Sequence, residues 1–153
     1  MKLNIRLANS QDSFSIWQIR NQPQVRNNSL TSEEIKLENH LVWYEVYLKK
    51  PYNKLFVLEH QYKNNILGYC RYDYHETFYL VSIAIDFHHQ RQGYGSILLS
   101  KTIKKMRKYH LLIKADVKKN NLASKKLFER AHFAFDPNIE KEILHYIYRE
   151  AKK

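Results

Sequence analysis

The sequence predicts one α/β (α+β) domain over residues 1–153, in which helices cover both faces of a mixed β-sheet. Three observations lead to this fold class. The length of 153 residues suits a single domain with a sizeable core. The chain has 44% apolar and 27% charged residues, a balance typical of globular proteins. Strand-like and helix-like segments alternate in the order β-α-α-β-β-β-α-β-α-β, which is typical of layered α/β folds.

The N-terminal segment predicts a strand, a helix and a loop. Residues 3–7 alternate apolar and polar side chains, as a strand does. Ser10 or Asp12 is a candidate N-cap for the helix that follows. The stretch 21–32 is rich in Asn, Gln and Ser and contains a proline, so it predicts a loop.

A second helix is predicted before the first long strands. Thr31 and Glu34 have capping-box spacing, which predicts a helix that runs to about Lys49. Pro51 then follows the end of this helix. Four residues at helical spacing form its predicted inward stripe: Leu37, Leu41, Tyr44 and Leu48.

A hairpin and a third strand follow. Residues 54–60 and 66–74 are strand-like, and a pair of asparagines between them favours a turn. Gly68 lies inside the second of these strands, where it indicates a bulge or the close packing of a neighbour. The apolar run 79–85 predicts a buried strand.

The remaining chain continues the alternation of helices and strands. Asn120 or Asn121 is a candidate cap for the second of the two helices in this part. The predicted elements are a helix over about residues 93–109, a strand over 111–117, a helix through 131 and a last strand over 142–149.

The chain is strongly basic. It has 26 Lys and Arg against 15 Asp and Glu, a net charge of +11, so its surface should attract anions. Nucleic acid, acidic lipid and phosphorylated small molecules all fit this charge. A solvated basic surface without a specific partner explains it equally well.

A single cysteine, Cys70, excludes an internal disulfide framework and any metal site built from several cysteines. The N-terminal residues lack the apolar core of a signal peptide, and no stretch is long and apolar enough to span a bilayer. We therefore expect a cytoplasmic protein that does not bind membranes.

Residues 90–96, Gln-Arg-Gln-Gly-Tyr-Gly-Ser, form what we call the glycine loop, and they contain two of the three glycines. The loop lies between the buried strand and a helix. Such a junction binds anions, because unpaired backbone N–H groups and the helix dipole point to the same place. A phosphate is the expected anion. A P-loop is excluded because no Gly-Lys-Ser/Thr follows, and a dinucleotide fold is disfavoured because no third glycine opens the helix.

Two segments in the correct order resemble the cofactor motifs of the Gcn5-related N-acetyltransferase (GNAT) family. Gln90, Gly93 and Gly95 match its pattern Gln/Arg-x-x-Gly-x-Gly/Ala, and residues 121–133 resemble its Asn-x-Ala-Ser-x-x-Leu-Tyr-Glu-x-x-Gly-Phe segment. The resemblance extends from about residue 3 to 149. It implies a mostly antiparallel sheet with splayed central strands, and a metal-free transfer of acetyl from acetyl-CoA to a primary amine that attacks the thioester directly.

The resemblance implies a set of residues that bind coenzyme A. Backbone amides of residues 91–96 would hold the pyrophosphate, and the backbones of Ile85 and Phe87 would pair with pantetheine. Asn121 would bind the cofactor arm or serve as a helix cap. His132 replaces the usual glycine, so we expect a left-handed conformation there. The implied set is Ile85, Phe87, Gln90, Arg91, Gln92, Gly93, Tyr94, Gly95, Ser96, Asn121, Ser124 and Phe128.

The residue that protonates the leaving thiolate is open. Many family members use a tyrosine, and the matching residue here is Phe128, which cannot donate a proton. Tyr146 and Tyr148 on the last strand are candidate substitutes, although both also suit a packing role. The alternatives are that solvent or another hydroxyl protonates the thiolate, or that the thiolate departs without a proton.

Asp116 is the first candidate for the general base. It lies at the end of a strand, where ribosomal-protein acetyltransferases of the family carry a glutamate. An exposed carboxylate paired with Lys118 is the simpler interpretation. Glu76, with His75 in the turn before the central strand, is the second candidate.

The acceptor is expected to bind to residues 10–52. Part of this region resembles a GNAT subgroup that acetylates nucleotide-linked amino sugars, above all the enzymes of the pseudaminic acid pathway, which act on the 4-amino group of a UDP-linked dideoxy sugar. Arginines there would meet the diphosphate, and an aromatic ring would stack on the base. Ordinary packing explains the same residues. The candidates are Arg20, Asn21, Arg26, His40, Trp43 and Tyr47.

Two other functions remain open. A ribosomal-protein or peptide N-terminal acetyltransferase is the enzymatic alternative, although the basic surface disfavours a basic peptide. A non-catalytic coenzyme A sensor or a basic nucleic-acid-binding module is the alternative of another class. We expect a small-molecule acceptor, no specific nucleic acid, and a monomer or homodimer.

Overall fold

The computed structural model describes residues 2–140 and 142–150. Within them, seven strands form one sheet: β1 (Leu3–Leu7), β2 (Lys54–His60), β3 (Ile66–Tyr74), β4 (Phe78–Ile85), β5 (Leu112–Lys118), β6 (Phe133–Glu140) and β7 (Ile143–Tyr148). The helices are α1 (Ser13–Arg20), α2 (Pro23–Asn28), α3 (Leu37–Lys49), α4 (Tyr94–Met106) and α5 (Leu122–Arg130).

The sheet opens between its central strands. Its order is β1-β2-β3-β4-β5-β7-β6, and each neighbouring pair is antiparallel except β4 with β5. These two parallel strands pair only as far as Leu80 opposite Lys114, although β4 continues to Ile85. The structure confirms the predicted class, a mostly antiparallel mixed sheet with splayed central strands.

Helices cover both faces of the sheet, as predicted. The larger core, which includes Leu99 of α4 and Phe128 of α5, lies on one face. The smaller core, which includes Ile16 of α1, lies on the other. Because side chains alternate along a strand, Tyr72 of β3 is buried in the larger core and Tyr69 in the smaller one.

The polar stretch after α1 contains a short helix, so the prediction of a loop there is wrong. α2 begins at Pro23. The fixed φ of proline suits the first helical turn, where its missing N–H is not needed. Val25 of this helix is buried in the smaller core, which holds α2 against the sheet.

The predicted capping box at Thr31 is also wrong, because α3 begins at Leu37 and has no side-chain cap. The backbone of Ile35 is held by other side chains. Asn21 Oδ1 accepts from the Ile35 N–H at 2.8 Å, and Trp17 Nε1 donates to the Ile35 carbonyl at 2.8 Å. With both backbone groups engaged outside a helix, the chain cannot form the predicted first turn.

The inward face of α3 differs in part from the predicted stripe. Leu41 is 46% exposed, whereas Tyr44 is buried as expected. The buried residues of the helix are His40, Tyr44 and Tyr47.

β6 is absent from the predicted order of elements. It pairs with β7 at the edge of the sheet and contains Pro137. An edge strand tolerates proline because one row of its N–H groups has no strand to bond. A proline among polar residues is therefore compatible with a strand at this position.

Gly68 meets both predictions made for it. The β2–β3 register shifts between Leu58 and Glu59, beside Gly68. A Cβ atom at Gly68 would lie 2.5 Å from Ile85 Cδ1 and 2.7 Å from the Ala84 carbonyl oxygen. Only glycine lets β3 approach the end of β4 this closely.

Neither a bilayer crossing nor a metal cluster is found in the described part of the chain. No helix there combines the required length with an apolar composition. No group of three or more His, Cys, Asp or Glu residues there is arranged to hold a metal ion.

Candidate active site

A cavity of about 350 Å³ lies where β4 and β5 diverge, and we call it the splay cavity. Residues 80–84 line it from β4, and Asp116 lines it from β5. Phe128 of α5 lies at a third side. Beyond Leu80, the β4 edge that faces β5 has no pairing with that strand. An extended ligand can add to such an edge by backbone hydrogen bonds.

The glycine loop reaches α4 through a left-handed turn. Gly93 is the N-cap residue, with φ +82°, and Arg91 has φ +63°. The first intrahelical bond joins the Ile97 N–H to the Gly93 carbonyl at 3.2 Å. The amides of Gly95 and Ser96 precede that bond, so they point out of the helix end, where the dipole favours an anion. The loop therefore has the predicted geometry of an anion site.

The end of β4 is held by two glutamine side chains. Gln90 Nε2 donates to the Ile85 carbonyl at 3.0 Å. Gln22, before α2, accepts from the Phe87 N–H at 2.9 Å and donates to Asp86 Oδ1 at 2.9 Å. The two backbone groups predicted to meet pantetheine thus have protein partners. A ligand that binds the Phe87 N–H must displace Gln22, whereas the Ile85 carbonyl keeps a second lone pair for another donor.

Asn121 is the N-cap of α5. Its Oδ1 accepts from the Ser124 N–H at 3.1 Å, and its Nδ2 donates to Ser124 Oγ at 2.9 Å and to the Asn28 carbonyl at 3.3 Å. Both Asn121 and Ser124 line the splay cavity. At the other end of this segment, His132 has φ +71°, the left-handed conformation expected there.

Asp116 lies on the β5 wall of the splay cavity and pairs with a histidine rather than with Lys118. Asp116 Oδ1 lies 2.6 Å from His145 Nδ1 on β7, and both side chains are 26% exposed. Lys118 instead donates to the Asn27 carbonyl at 3.1 Å. Asp116 is thus a partly exposed carboxylate beside the open strand edge.

The other predicted proton-transfer residues lie elsewhere. The Tyr146 hydroxyl donates to Glu129 at 3.4 Å, and Tyr148 packs against Phe133. Neither tyrosine is among the described residues that line the splay cavity. Glu76 lines a separate groove of about 520 Å³ with His75. The structure therefore does not bring these residues to Asp116.

Only some of the predicted acceptor residues line the splay cavity. Arg20 and Arg26 line the splay cavity. His40 is buried, with Nε2 2.9 Å from the Ser13 carbonyl. The Tyr47 hydroxyl donates to Asp73 at 2.7 Å. Burial and then the Asp73 charge raise the pKa of Tyr47 well above its usual value. His40 is thus an internal group, and Tyr47 lines the separate groove with Glu76 rather than the splay cavity.

Trp43 lines the separate groove rather than the splay cavity, and several side chains pack against its ring. The Cζ atoms of Arg20 and Arg71 lie 4.8 and 5.2 Å from its ring centroid. The Tyr47 ring lies 5.0 Å away. Trp43 therefore supports the two arginines.

Residues 29–36, between α2 and α3, form a strap along the splay cavity. Asn121 and Lys118 hold the chain just before it, at Asn28 and Asn27. Asn21 holds its far end, since Nδ2 donates to the Ile35 carbonyl at 2.7 Å. This predicted acceptor residue thus acts on the strap.

Residues 14–133 match the family model described as the acetyltransferase (GNAT) family. The chain belongs to this family. It is therefore an N-acetyltransferase whose acetyl donor is acetyl-CoA. A comparison with curated protein sequences finds no match.

Solved structures support the GNAT fold. An N-acetyltransferase from Staphylococcus aureus Mu50 is 19% identical, with a TM-score of 0.78 over 96% of this chain and 98% of that one. YncA from Salmonella typhimurium, solved with its cofactor acetyl-CoA, is 20% identical, with a TM-score of 0.75 over 95% and 91% of the two chains. The ribosomal-protein-alanine N-acetyltransferase from Brucella melitensis is 20% identical, with a TM-score of 0.79 over 94% and 98%.

The described residues fit coenzyme A, the cofactor of the GNAT family. A Cβ at Gly93 would meet nothing within 4 Å, so the left-handed turn leaves open space in front of the helix end. Gly95 packs α4 onto β4 and α5, where a Cβ would lie 3.6 Å from Leu127 and 3.8 Å from Ile85. The open β4 edge, which starts beyond Leu80, ends at Ile85 beside this turn. A helix end suited to a phosphate and an open strand edge suited to an extended amide chain are therefore adjacent.

Tyr69 and Arg71 of β3 also line the splay cavity, although neither was predicted as a site residue. Tyr69 and Arg71 are two residues apart on β3, so both lie on the face that carries the smaller core. A charged residue inside a central strand is uncommon unless it is paired or functional. Sequence reasoning missed this wall, and the one signal that could have indicated it is an arginine among the aromatic residues of 69–74.

Proposed function

We propose that the protein transfers the acetyl group of acetyl-CoA to a primary amine of a nucleotide-linked sugar, the 4-amino group of a UDP-linked amino-dideoxy sugar. The observation that carries this proposal is the makeup of the splay cavity. It places Asp116 on the β5 wall and Arg20 and Arg26 on the helix side, with the open edge of β4 between them. A base and a basic wall in one cavity suit an amine that carries phosphate.

Donor binding is assigned to the glycine loop and its surroundings. The amides of residues 91–96 would hold the pyrophosphate, and the β4 edge near Ile85 would align the pantetheine arm. When bound, acetyl-CoA supplies the activated acetyl thioester. Because Gln22 holds the Phe87 amide, we assign the direct backbone contact to β4 itself and a positioning role to Gln22. Asn121 and Ser124 would line the arm and stabilise α5.

Asp116 is assigned as the general base. An amine must lose a proton to attack, and a carboxylate within the cavity can accept it. The second oxygen of this carboxylate remains for the acceptor, because Oδ1 is held by His145. The assignment does not extend to Glu76, Tyr146 or Tyr148, which lie away from the cavity.

The acceptor is assigned to the wall formed by α1, α2 and the strap. The Arg26 guanidinium is partly engaged, with Nε donating to the Asn21 carbonyl at 3.0 Å and Nη1 to the Ser32 carbonyl at 3.3 Å. It is therefore held in place at the cavity rim, as a diphosphate contact requires. The net charge of +11 favours the approach of such a ligand.

An N-terminal peptide is the second candidate acceptor, and the position of Asp116 at the cavity favours it equally. The arginine wall disfavours it when the peptide is basic, because like charges would meet in a half-buried site. Acidic peptides are compatible with both features. The two candidates therefore differ in the scaffold that carries the amine.

Release of free thiol from acetyl-CoA tests the proposal. The acceptors are a panel of UDP-linked amino sugars, N-terminal peptides and polyamines, each assayed with the wild type and with Asp116→Asn. We expect turnover with a UDP-linked amino sugar, and its loss in the variant. Turnover only with peptides would reject the sugar, and no turnover with any member would reject the proposed function. Glu142→Gln removes an exposed carboxylate outside the cavity and serves as the control.

A further inference from the structure

Arg20 and Arg71 come together on the wall of the splay cavity although they are far apart in the chain. Arg20 ends α1 and Arg71 lies in the middle of β3. Both guanidiniums lie on Trp43, 4.8 and 5.2 Å from its ring centroid, and both residues line the cavity. The indole fixes the positions of two cations that would otherwise repel each other.

The protein itself only partly compensates this pair of charges. Asp73 Oδ1 lies 3.1 Å from Arg71 Nε, but it accepts its aligned hydrogen bond from the Tyr47 hydroxyl at 2.7 Å. Arg71 Nε is buried and has no hydrogen-bond partner among the described residues. Among the described residues, no carboxylate forms an ion pair with Arg20.

Burial makes the charge of Arg20 more costly. It lowers the pKa of Arg20, and the nearby Arg71 charge lowers that pKa further, whereas Tyr69 and Asp73 act in the opposite direction without restoring it. A half-buried guanidinium without a partner is costly, because it loses hydration and gains no hydrogen bond in return. An anion between the two side chains would supply the missing charge and acceptors.

We propose that Arg20 and Arg71 form a subsite for an oxyanion of the acceptor, a carboxylate or a phosphate. Two guanidinium groups on a rigid aromatic support match the geometry of such a group. This inference rests on the proposed function, since it places the acidic group of the acceptor opposite the amine.

The position of the subsite also predicts the shape of the acceptor. Arg71 and Asp116 line the same cavity from different strands, with the β4 residues Ser82 and Ala84 between them. An acceptor held at both ends carries its amine and its acidic group at opposite ends of one small-molecule unit. Polyamines and simple alkylamines lack the second group, so they should be poor acceptors.

Calorimetric titration with inorganic phosphate and with acetate tests the subsite directly. Saturating coenzyme A is present throughout, so that the glycine loop does not compete for the probe. We expect saturable binding of at least one probe, weakened about tenfold or more by Arg20→Gln and by Arg71→Gln. The affinity of Arg71→Lys for the probe should fall between those of the wild type and Arg71→Gln, because lysine keeps the charge but lacks the paired donors of a guanidinium. Binding of only phosphate would identify the acidic group as a phosphate, and binding of only acetate would identify it as a carboxylate.

Lys101→Gln is the matched control, since it removes one positive charge from the exposed side of α4. Emission of Trp43, obtained as the difference between the wild type and Trp43→Phe, should follow the same binding curve. Equal affinity in the wild type and both arginine variants, or no binding of either probe, would overturn the subsite.

Kinetics separate this inference from the proposed function. With an acidic acceptor, Arg71→Gln should raise KM about tenfold or more with little change in kcat, whereas a neutral amine should show no change in KM. An equal loss with both acceptors would reject the subsite while acetyl transfer stands. Saturable phosphate binding without transfer to any amine would reject the function while the subsite stands.

Discussion

Asp116 and His145 face each other on neighbouring antiparallel strands, with Oδ1 and Nδ1 2.6 Å apart. The imidazole holds one carboxylate oxygen, so the other oxygen is the one available to the splay cavity. His145 thus fixes the orientation of the candidate base without itself lining the cavity.

Asp116→Asn should lower kcat near pH 7 by about 10²–10⁴-fold, the range typical of a lost general base. The amide keeps the size of the side chain but cannot accept the proton. Raising the pH should narrow the deficit, because more of the amine is then already neutral. A pH series of kcat at saturating acetyl-CoA measures both effects. An unchanged kcat, or a deficit that stays constant up to high pH, would contradict the role of Asp116.

Gly93→Ala should lower the free energy of unfolding by about 1–2 kcal/mol, because φ is +82° and an L side chain is strained there. It should also raise the KM for acetyl-CoA. Gly95→Ala should be nearly neutral, since its Cβ would lie at ordinary contact distances from Leu127 and Ile85. Urea denaturation and initial rates measure the pair. Equal effects of the two substitutions would show that backbone conformation is not the cause.

The sequence predicts local features of the donor site well and contacts between distant segments poorly. The glycine loop and the α5 cap depend on neighbouring residues, so their patterns are visible in the chain. The start of α3 depends instead on Trp17 and Asn21, which hold Ile35 from α1 and the turn after it. No helix propensity at Thr31 can reveal that restraint.

The acceptor side shows the same limit. Arg20 was a candidate because it lies in a recognisable segment, whereas Arg71 reaches it only through the packing of α1 on β3. Asp116 likewise meets its partner His145, 29 residues away in sequence, only because β5 pairs with β7. Lys118 is nearer in sequence, but it holds α2 instead. Sequence motifs therefore indicate the donor site, whereas contacts between distant segments form the wall that we assign to the acceptor.

Gly68→Ala should destabilise the fold by about 1–3 kcal/mol through overpacking. The new Cβ would lie 2.7 Å from the Ala84 carbonyl oxygen, and a backbone atom inside a sheet cannot move aside easily. Relief of this contact shifts the end of β4, so the KM for acetyl-CoA should rise as well. Urea denaturation against Gly95→Ala, a glycine-to-alanine change without overlap, isolates the effect. If Gly68→Ala were as stable as the wild type, β3 and β4 would be able to separate freely at this position.

Acid should weaken the attachment of α1 to the sheet through Asp12. Arg6 donates to both Asp12 oxygens, at 2.7 and 2.9 Å. Burial acts to raise the pKa of Asp12, but the hydrogen bonds from Arg6 and the Asn9 amide outweigh it and hold the pKa below its usual value. A carboxylate with a lowered pKa stabilises the fold above its unfolded value of about 3.9, and this contribution is lost as the pH falls through the lower folded value.

Asp12→Asn should therefore lower Tm at neutral pH and reduce the loss of Tm between about pH 4 and pH 2. Glu45→Gln is the control, because the Glu45–Lys49 pair is exposed and contributes little. Thermal melts over this pH range measure both variants. A Tm profile of Asp12→Asn parallel to that of the wild type would mean that Asp12 has the same pKa in the folded and unfolded chains. Since α1 carries Arg20 at its end, a real loosening at Asp12 should also raise the KM for an acidic acceptor.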